Sequence, residues 1–356
     1  MTLGFSWRET IGIIFLGHFL ISLAITANAI VGAKYHIPYT IQSRTSFGFF
    51  ASFVAVFIRM LVGFFWYGIN TYNGAICVNA VIIAIWPSFK DVPNGLPESA
   101  NITTQMMTSY VVYFLITLPF HWIHPRYLKW FFDIKTISML GNYGTMAVNI
   151  NDFARYARAT RMVYAQILAV PLSFMLMSFM GIIIAGAASD LYGTDIWDPL
   201  TIMSYWSGSS GARAAAAFVS LSFVLAQLGA NISANCISAS NDLNAMFPSY
   251  VNLRRGSYII AFVGAWALTP WNILASASAL LNFMDGYIIW LAPITGILLS
   301  DYYVVHRQTY DVEDMYIPHG KYRYNKWGTN WRAVVAWLIG SVPLIPGFAL
   351  RVCLGL

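Results

Sequence analysis

Residues 47–86 read FGFFASFVAVFIRMLVGFFWYGINTYNGAICVNAVIIAIW. This nearly continuous apolar run is longer than the ~20 residues a helix needs to cross the hydrocarbon core of a bilayer. It lacks the polar–apolar alternation of a barrel strand, which excludes a transmembrane β-barrel. Comparable runs recur at 9–32, 105–123, 162–188, 214–240, 257–281, 287–305 and 333–350. About eight helical segments joined by short loops describe an all-α integral membrane protein, one membrane domain over residues 1–356, and not a soluble domain with an anchor. Composition agrees. Of the residues 58% are hydrophobic and only 10% charged, where a soluble domain carries ~25% charge. Trp and Tyr, abundant here, favour the headgroup level.

The start, MTLGFSWRET, does not read as a signal peptide, because the apolar run from Thr10 to Ala33 is long enough to span and no small-residue cleavage site follows. Three cysteines, Cys77, Cys236 and Cys353, are odd in number and two lie in apolar runs, so they read as small buried hydrophobes and not as a disulfide framework. The formal net charge of +6 reads as basic cytoplasmic loops and not as a nucleic-acid patch. Lys34 and Arg44 follow the first run; Arg126, Lys129 and Lys135 follow the third; Arg155, Arg158 and Arg161 precede the fourth. Arg254 and Arg255 follow the fifth, and Arg307, Lys321, Arg323, Lys326 and Arg332 surround the penultimate loop. The opposite loops are neutral or acidic, and one holds the glycosylation pattern Asn101-Ile102-Thr103.

Residues 136–150, TISMLGNYGTMAVNI, break this alternation, because they lie between two loops that should both be cytoplasmic. A helix of that length reaches ~22 Å, short of the ~30 Å core. The segment is therefore re-entrant, drawn to depth by its neighbours, or the remnant of a deletion.

Polar groups at membrane depth cost several kcal/mol unless paired and so mark pathways. One cluster is FFWYGINTYNG (64–74), where Trp66 and Asn70 are four residues apart and share a helix face. An indole plane beside an amide suits a flat heteroaromatic ligand; helix packing through Gly and Asn is the competing reading. The second is QLGANISAN (227–235), where Gln227, Asn231 and Asn235 draw an amide stripe at successive steps of four. Such a ladder serves either a ligand or helix–helix adhesion.

Four stretches carry a resemblance. GNYGTMAVNINDFARYAR (Gly141–Arg158) resembles the signature after the broken sixth helix of the nucleobase:cation symporter-1 family. AQLGANISANCISASNDLNAMFP (Ala226–Pro248) resembles its eighth helix, and Trp66-Tyr67-Gly68 with Asn70 its third. SDYYVVHR (Ser300–Arg307) and YNKWGTNWR from Tyr324 resemble the loop after its tenth. The order and length of these motifs point to the fungal and plant-type uracil, allantoin, uridine and thiamine permease branch.

The resemblance implies a LeuT-like fold of inverted five-helix repeats, with substrate held at the midplane beside two broken helices. It implies that Trp66 stacks on the substrate ring, that Asn70 reaches its polar edge from where the family often has Gln, and that Asn235 hydrogen-bonds the base. Tyr143 falls at the family's second stacking position; Asn142 beside it and Gln227 complete the expected substrate-binding set. At the positions of a sodium site this chain has Gly229 and Ala230, which offer no side-chain oxygen. The implied coupling is therefore to protons, with Asp152, Asp242 and Asp285 as candidate carriers, although each also fits a helix-terminus or loop carboxylate. Arg155 and Arg158 read as a cytoplasmic gate or as positive-inside anchors. His121 and His124 have no acidic or cysteine company and read as interface residues and not metal ligands. No cofactor, metal or enzymatic site is expected, since amides bind but do not catalyse. The expected partners are a small heterocycle, protons and the lipid bilayer.

Set against the family's twelve helices, the chain lacks the first, fifth and twelfth, and only about five residues stand between Lys135 and Gly141. The sequence therefore supports two readings: a proton-coupled permease of the plasma membrane importing a nucleobase-like heterocycle, or a truncated non-transporting paralogue or incomplete gene model.

Overall fold

A computed structural model describes residues 6–123, 146–193, 202–203, 205–206, 208–274 and 277–354. Among them every regular element is helical. In chain order these are α1 (Trp7–Tyr35), α2 (Tyr39–Phe47), α3 (Ser52–Ile85), α4 (Thr104–Trp122), α5 (Met146–Asn149), α6 (Asn151–Ala154) and α7 (Gln166–Tyr192). Then come α8 (Ser210–Ala230), α9 (Ile237–Met246), α10 (Leu253–Phe262), α11 (Pro270–Ile273), α12 (Ala277–Ser300), α13 (Trp331–Ser341) and α14 (Ile345–Leu354). Three wider, π-type turns interrupt the long helices: Asn231–Cys236 joins α8 to α9, Val263–Ala267 extends α10, and Asp301–Val305 extends α12.

Local sequence sets where the helices begin. Ser6 and Glu9 form a reciprocal capping box at α1, and Thr103, Ser209 and Asn252 accept from backbone N–H groups in the first turns of α4, α8 and α10. Six of the eight sequence runs become helices long and apolar enough to cross a membrane: Trp7–Tyr35, Ser52–Ile85, Thr160–Tyr192, Ser210–Met246, Ala279–Val305 and Trp331–Leu350. The run 105–123 forms α4, which carries buried Ser109, Thr117 and His121 among its apolar residues. The run 257–281 is not one helix. Thr269 takes a left-handed conformation (φ 38°) just before Pro270, the short α11 follows, and residues 277–281 belong to α12.

α3 is the central post. In its apolar window 61% of residues are buried, against 17% for α1 and 11% for the helix ending in α7, so most of the apolar surface of the latter two is exposed. α3 packs on α4, α8 and the turn after α10, while α1 packs on α7. Small residues allow the close approach: a Cβ on Gly63 would lie 2.9 Å from Cβ of Ala239, and one on Gly68 would lie 2.4 Å from the Gly264 carbonyl. Around them Met60, Phe64, Tyr67, Tyr110 and Tyr113 fill the core.

Only residues 146–150 of the anomalous stretch 136–150 lie within the described residues. They are held at depth by amides from elsewhere. Asn28 on α1 donates to the carbonyls of Ala147 (2.8 Å) and Val148 (3.0 Å) and accepts from Gln42 on α2 (3.0 Å). Asn151 accepts from the Gly32 N–H (2.9 Å) and donates to Gln42. Asn28, Gln42 and Asn151 are fully buried, so each polar group finds its partner in the others or in backbone.

At the end bearing Lys34 and Arg44, the loop 306–330 folds over the wholly buried α2. Thr45 and Tyr310 both donate to Asp301 (2.9 and 2.8 Å), Arg44 donates to the Met315 carbonyl (3.0 Å), and Asn330 donates to Ser46 O (2.7 Å). His306 Nδ1 lies 3.2 Å from the Asp301 carboxylate. That hydrogen bond raises the His306 pKa above the ordinary value, against the opposing pull of burial. A raised histidine stabilises fully below its unfolded pKa of about 6.5, and the contribution is lost as pH rises through the folded value. The loop should therefore resist limited proteolysis best in mild acid and become more cleavable above neutrality. His306→Gln should flatten that pH dependence.

Candidate functional site

α3 and the α8–α9 helix run antiparallel, and their offsets match. Arg59 and Trp66 stand seven residues apart on α3, and Asn235 and Asp242 seven apart on the facing helix, so both pairs fall on single faces two turns long. Trp66 and Asn235 line one small cavity together with Arg59, Gly63, Met146 and Asn149. Its volume is about 20 Å³, room for a water and not for a heterocyclic ring. In this conformation the space is closed.

Trp66 is half-buried, and its indole is braced edge-on by Phe283 (6.2 Å between centroids) and Tyr287 (6.4 Å) of α12. Asn235 is oriented from behind. Its amide donates to Asn231 Oδ1 (3.1 Å), and Asn231 in turn donates to the Tyr67 carbonyl (3.0 Å) and to Thr71 Oγ1 (3.1 Å) of α3. The amide stripe thus both binds helices together and aims Asn235. Asn70 and Gln227 are half-buried and do not line the cavity. Asn142 and Tyr143 lie outside the described residues, as does His124.

Below the cavity is a buried ionic cluster. The Arg59 guanidinium pairs with Asp242 and donates to Ser238 Oγ, which also accepts from Asn149. Ser238 donates to Asp152 Oδ2 (3.1 Å), whose other oxygen accepts from the Tyr39 N–H (3.1 Å). Arg59, Asp152, Ser238 and Asp242 are all at most 3% exposed. Asp152 is a helix-terminus carboxylate, in the first turn of α6 and accepting from the first N–H of α2, but a buried one, with Arg59 and Arg155 as its neighbouring cations; Asp242, inside α9, pairs with Arg59. Asp285 lies half-buried on α12, outside this cluster. Arg155 donates to Asn241 (3.3 Å) at the cluster's edge, while Arg158 is exposed.

His121 departs from the interface reading. It is buried, with Nε2 2.9 Å from Tyr67 Oη and Nδ1 2.8 Å from Ser257 Oγ. Cys236 Sγ sits 3.4 Å from the same Nδ1. This network ties α4 and α10 to the wall behind Asn235. In sequence His121 has no acidic or cysteine company because its partners Tyr67, Ser257 and Cys236 lie 54, 136 and 115 residues away.

A family model for permeases of cytosine/purines, uracil, thiamine and allantoin matches the chain over residues 1–139 and again over 137–356. The chain belongs to this permease family. Its members are membrane transporters and not enzymes. An uncharacterized permease of Schizosaccharomyces pombe is 38% identical over 395 aligned positions, covering 99% of this chain and 70% of that protein. The uridine and uracil permeases of Saccharomyces cerevisiae are 31% and 29% identical, with 98% and 99% of this chain matched to 63% and 64% of theirs. The chain thus spans about two thirds of the length of these relatives. The 395 aligned positions exceed the chain's 356 residues, so the relative has positions without a counterpart here, and the family model breaks where Lys135 approaches Gly141. The fold is that of the transporter Mhp1. Its inward-facing structure and its closed structure with bromovinylhydantoin bound each superpose with a TM-score of 0.70 at 19% identity. They match 97% and 98% of this chain and 84% and 87% of Mhp1. The LeuT-like architecture is therefore present in shortened form.

Proposed function

We propose that this chain carries a flat, hydrogen-bonding heterocycle of the uracil, allantoin, uridine or thiamine class across the plasma membrane, coupled to protons, by alternating access. The observation that supports this reading is the joint placement of Trp66 and Asn235 on one cavity whose floor is the Arg59 guanidinium. Opening the cavity to ring size requires α3 and the α8–α9 helix to part, and a ring entering there meets an indole face and an amide together. Arg59 ends the cavity and begins the ionic cluster, so a proton reaching Asp152 or Asp242 loosens the bonds that hold α3 to α9 and α6. On this reading residues 1–356 act as one transporter unit.

Uptake of radiolabelled uracil, allantoin, uridine and thiamine by a transporter-deleted host tests the proposal. Accumulation of one of them, stimulated by external acid and abolished by a protonophore, is the expected result. No uptake of any, with the protein verified at the cell surface, overturns it. Asn235→Ala should weaken ligand binding by about 1–3 kcal/mol, the cost of an unsatisfied buried hydrogen bond. Equal affinity in a ligand-dependent melting assay would assign the amide stripe to helix adhesion alone.

The break in the family match between residues 137 and 139 favours a second reading, a paralogue that inserts and keeps the cavity but does not transport. Ligand-dependent stabilisation without uptake distinguishes it from the first.

A further inference from the structure

The loop 306–330 ends in a built turn. Asn325 Oδ1 accepts from the N–H groups of Trp327 (2.9 Å) and Thr329 (3.0 Å), and Tyr324, at φ 61°, donates its hydroxyl to the Thr45 carbonyl of α2. The turn is thus pinned to the protein and does not trail in solvent. Around it Gly320, Lys321, Arg323, Tyr324, Asn325 and Lys326 line an open cleft of about 340 Å³. That lies within the ~300–1,000 Å³ of small-molecule sites. The cleft's lining carries three cations, and Asp314 stands behind Gly320 at its edge, its Oδ1 3.1 Å from where a Cβ there would sit. Arg323 is fixed by His319 (2.6 Å) and the Lys326 carbonyl (3.0 Å), while Lys321 and Lys326 are exposed.

The cleft's position says what it meets. Arg332 and Trp331 follow at the first turn of α13, where a membrane-spanning helix starts. Trp327 and Trp331 are 72% and 62% exposed beside the start of that helix, and indoles favour the headgroup level. Clusters of Lys and Arg directly beside the cytoplasmic end of a spanning helix attract anionic lipid.

We propose that the Gly320–Lys326 turn is a binding site for a phosphate-bearing lipid headgroup of the cytoplasmic leaflet. Through Tyr324 and Asn330 an occupied cleft would brace α2, and with it the Tyr39 N–H that holds Asp152.

The test is a titration of the purified full chain in neutral detergent with a short-chain phosphatidylinositol phosphate, read by melting temperature. A salt-sensitive upward shift is expected. In Lys321→Ala/Arg323→Ala/Lys326→Ala the apparent affinity should fall by about two orders of magnitude, at roughly tenfold or less per cation. If that triple variant is already unfolded without lipid, Lys321→Ala/Lys326→Ala keeps the Arg323 bonds, and an affinity at least about tenfold weaker is expected. A control that removes Arg8, Lys90 and Arg213, all outside the loop, should leave the shift unchanged. Equal affinity for the loop variants and the wild type, or an equal loss in the control, overturns the proposal. So does equally tight binding of soluble inositol hexakisphosphate, which would assign the cleft to a free anion.

Discussion

Arg59→Ala is expected to destabilise the purified protein by about 3–5 kcal/mol, the cost of breaking a buried ion pair from one side. The cause is the company that the guanidinium keeps. Its removal leaves Asp242 without the cation it pairs with and Asp152 with Arg155 as its remaining neighbouring cation. Both carboxylates are at most 2% exposed, so neither can recover hydration without local opening. The double variant Arg59→Leu/Asp242→Leu should recover most of the loss, since an apolar pair of similar volume replaces a buried ion pair at little net cost. Melting temperatures of the single and double variants in detergent decide the matter. If the double variant is no more stable than Arg59→Ala, the ion pair is not what the first substitution removed. Asp242→Asn is the milder change, because Arg59 keeps its bond to Ser238; its expected signature is loss of acid-stimulated uptake with the fold retained.

Trp66→Ala should remove ligand-dependent stabilisation while the protein still inserts and folds. Base–aromatic stacking contributes about 1–3 kcal/mol, or roughly 5- to 150-fold in affinity. The indole is half-buried, lies at a steep angle to Phe283 and Tyr287, and lines the cavity. Trp66→Phe should retain part of the affinity, since a smaller ring still offers a π face. A melting assay that finds the same ligand shift in all three proteins would mean that Trp66 only packs against α12.

Trp66 and Asn235 were singled out through the family resemblance; their helical spacing alone left helix packing as the competing reading. That the chain is an all-α membrane protein was legible from run length and charge alone, and the LeuT-like arrangement came from the resemblance. Arg59 was missed, although a signal existed: a lone cation inside the apolar run 47–86 must find a carboxylate, and it stands two turns before Trp66 as Asp242 stands two turns after Asn235. The cluster Asn28–Gln42–Asn151 had no such signal. Its members are 14 to 123 residues apart, and each alone reads as a tolerated amide in a helix. The break at Thr269 was hidden for a related reason. Apolar residues continue through it, and only the Thr-Pro dipeptide marks the change of direction.

The π-type turn Asn231–Cys236 adds phase to the helix that contains it. Each residue of an α-helix advances by about 100°, so one extra residue in a turn re-aims everything downstream by that angle. Asn235 lies inside the turn, bonded to Asn231, and Ser238 and Asp242 lie after it, both bonded to Arg59 of α3. Deleting one residue there would rewind the helix to regular geometry and rotate Asp242 away from Arg59 by roughly a quarter-turn. The turn therefore acts as a clocking element, setting the angle between α8 upstream and the ionic cluster on α9 downstream.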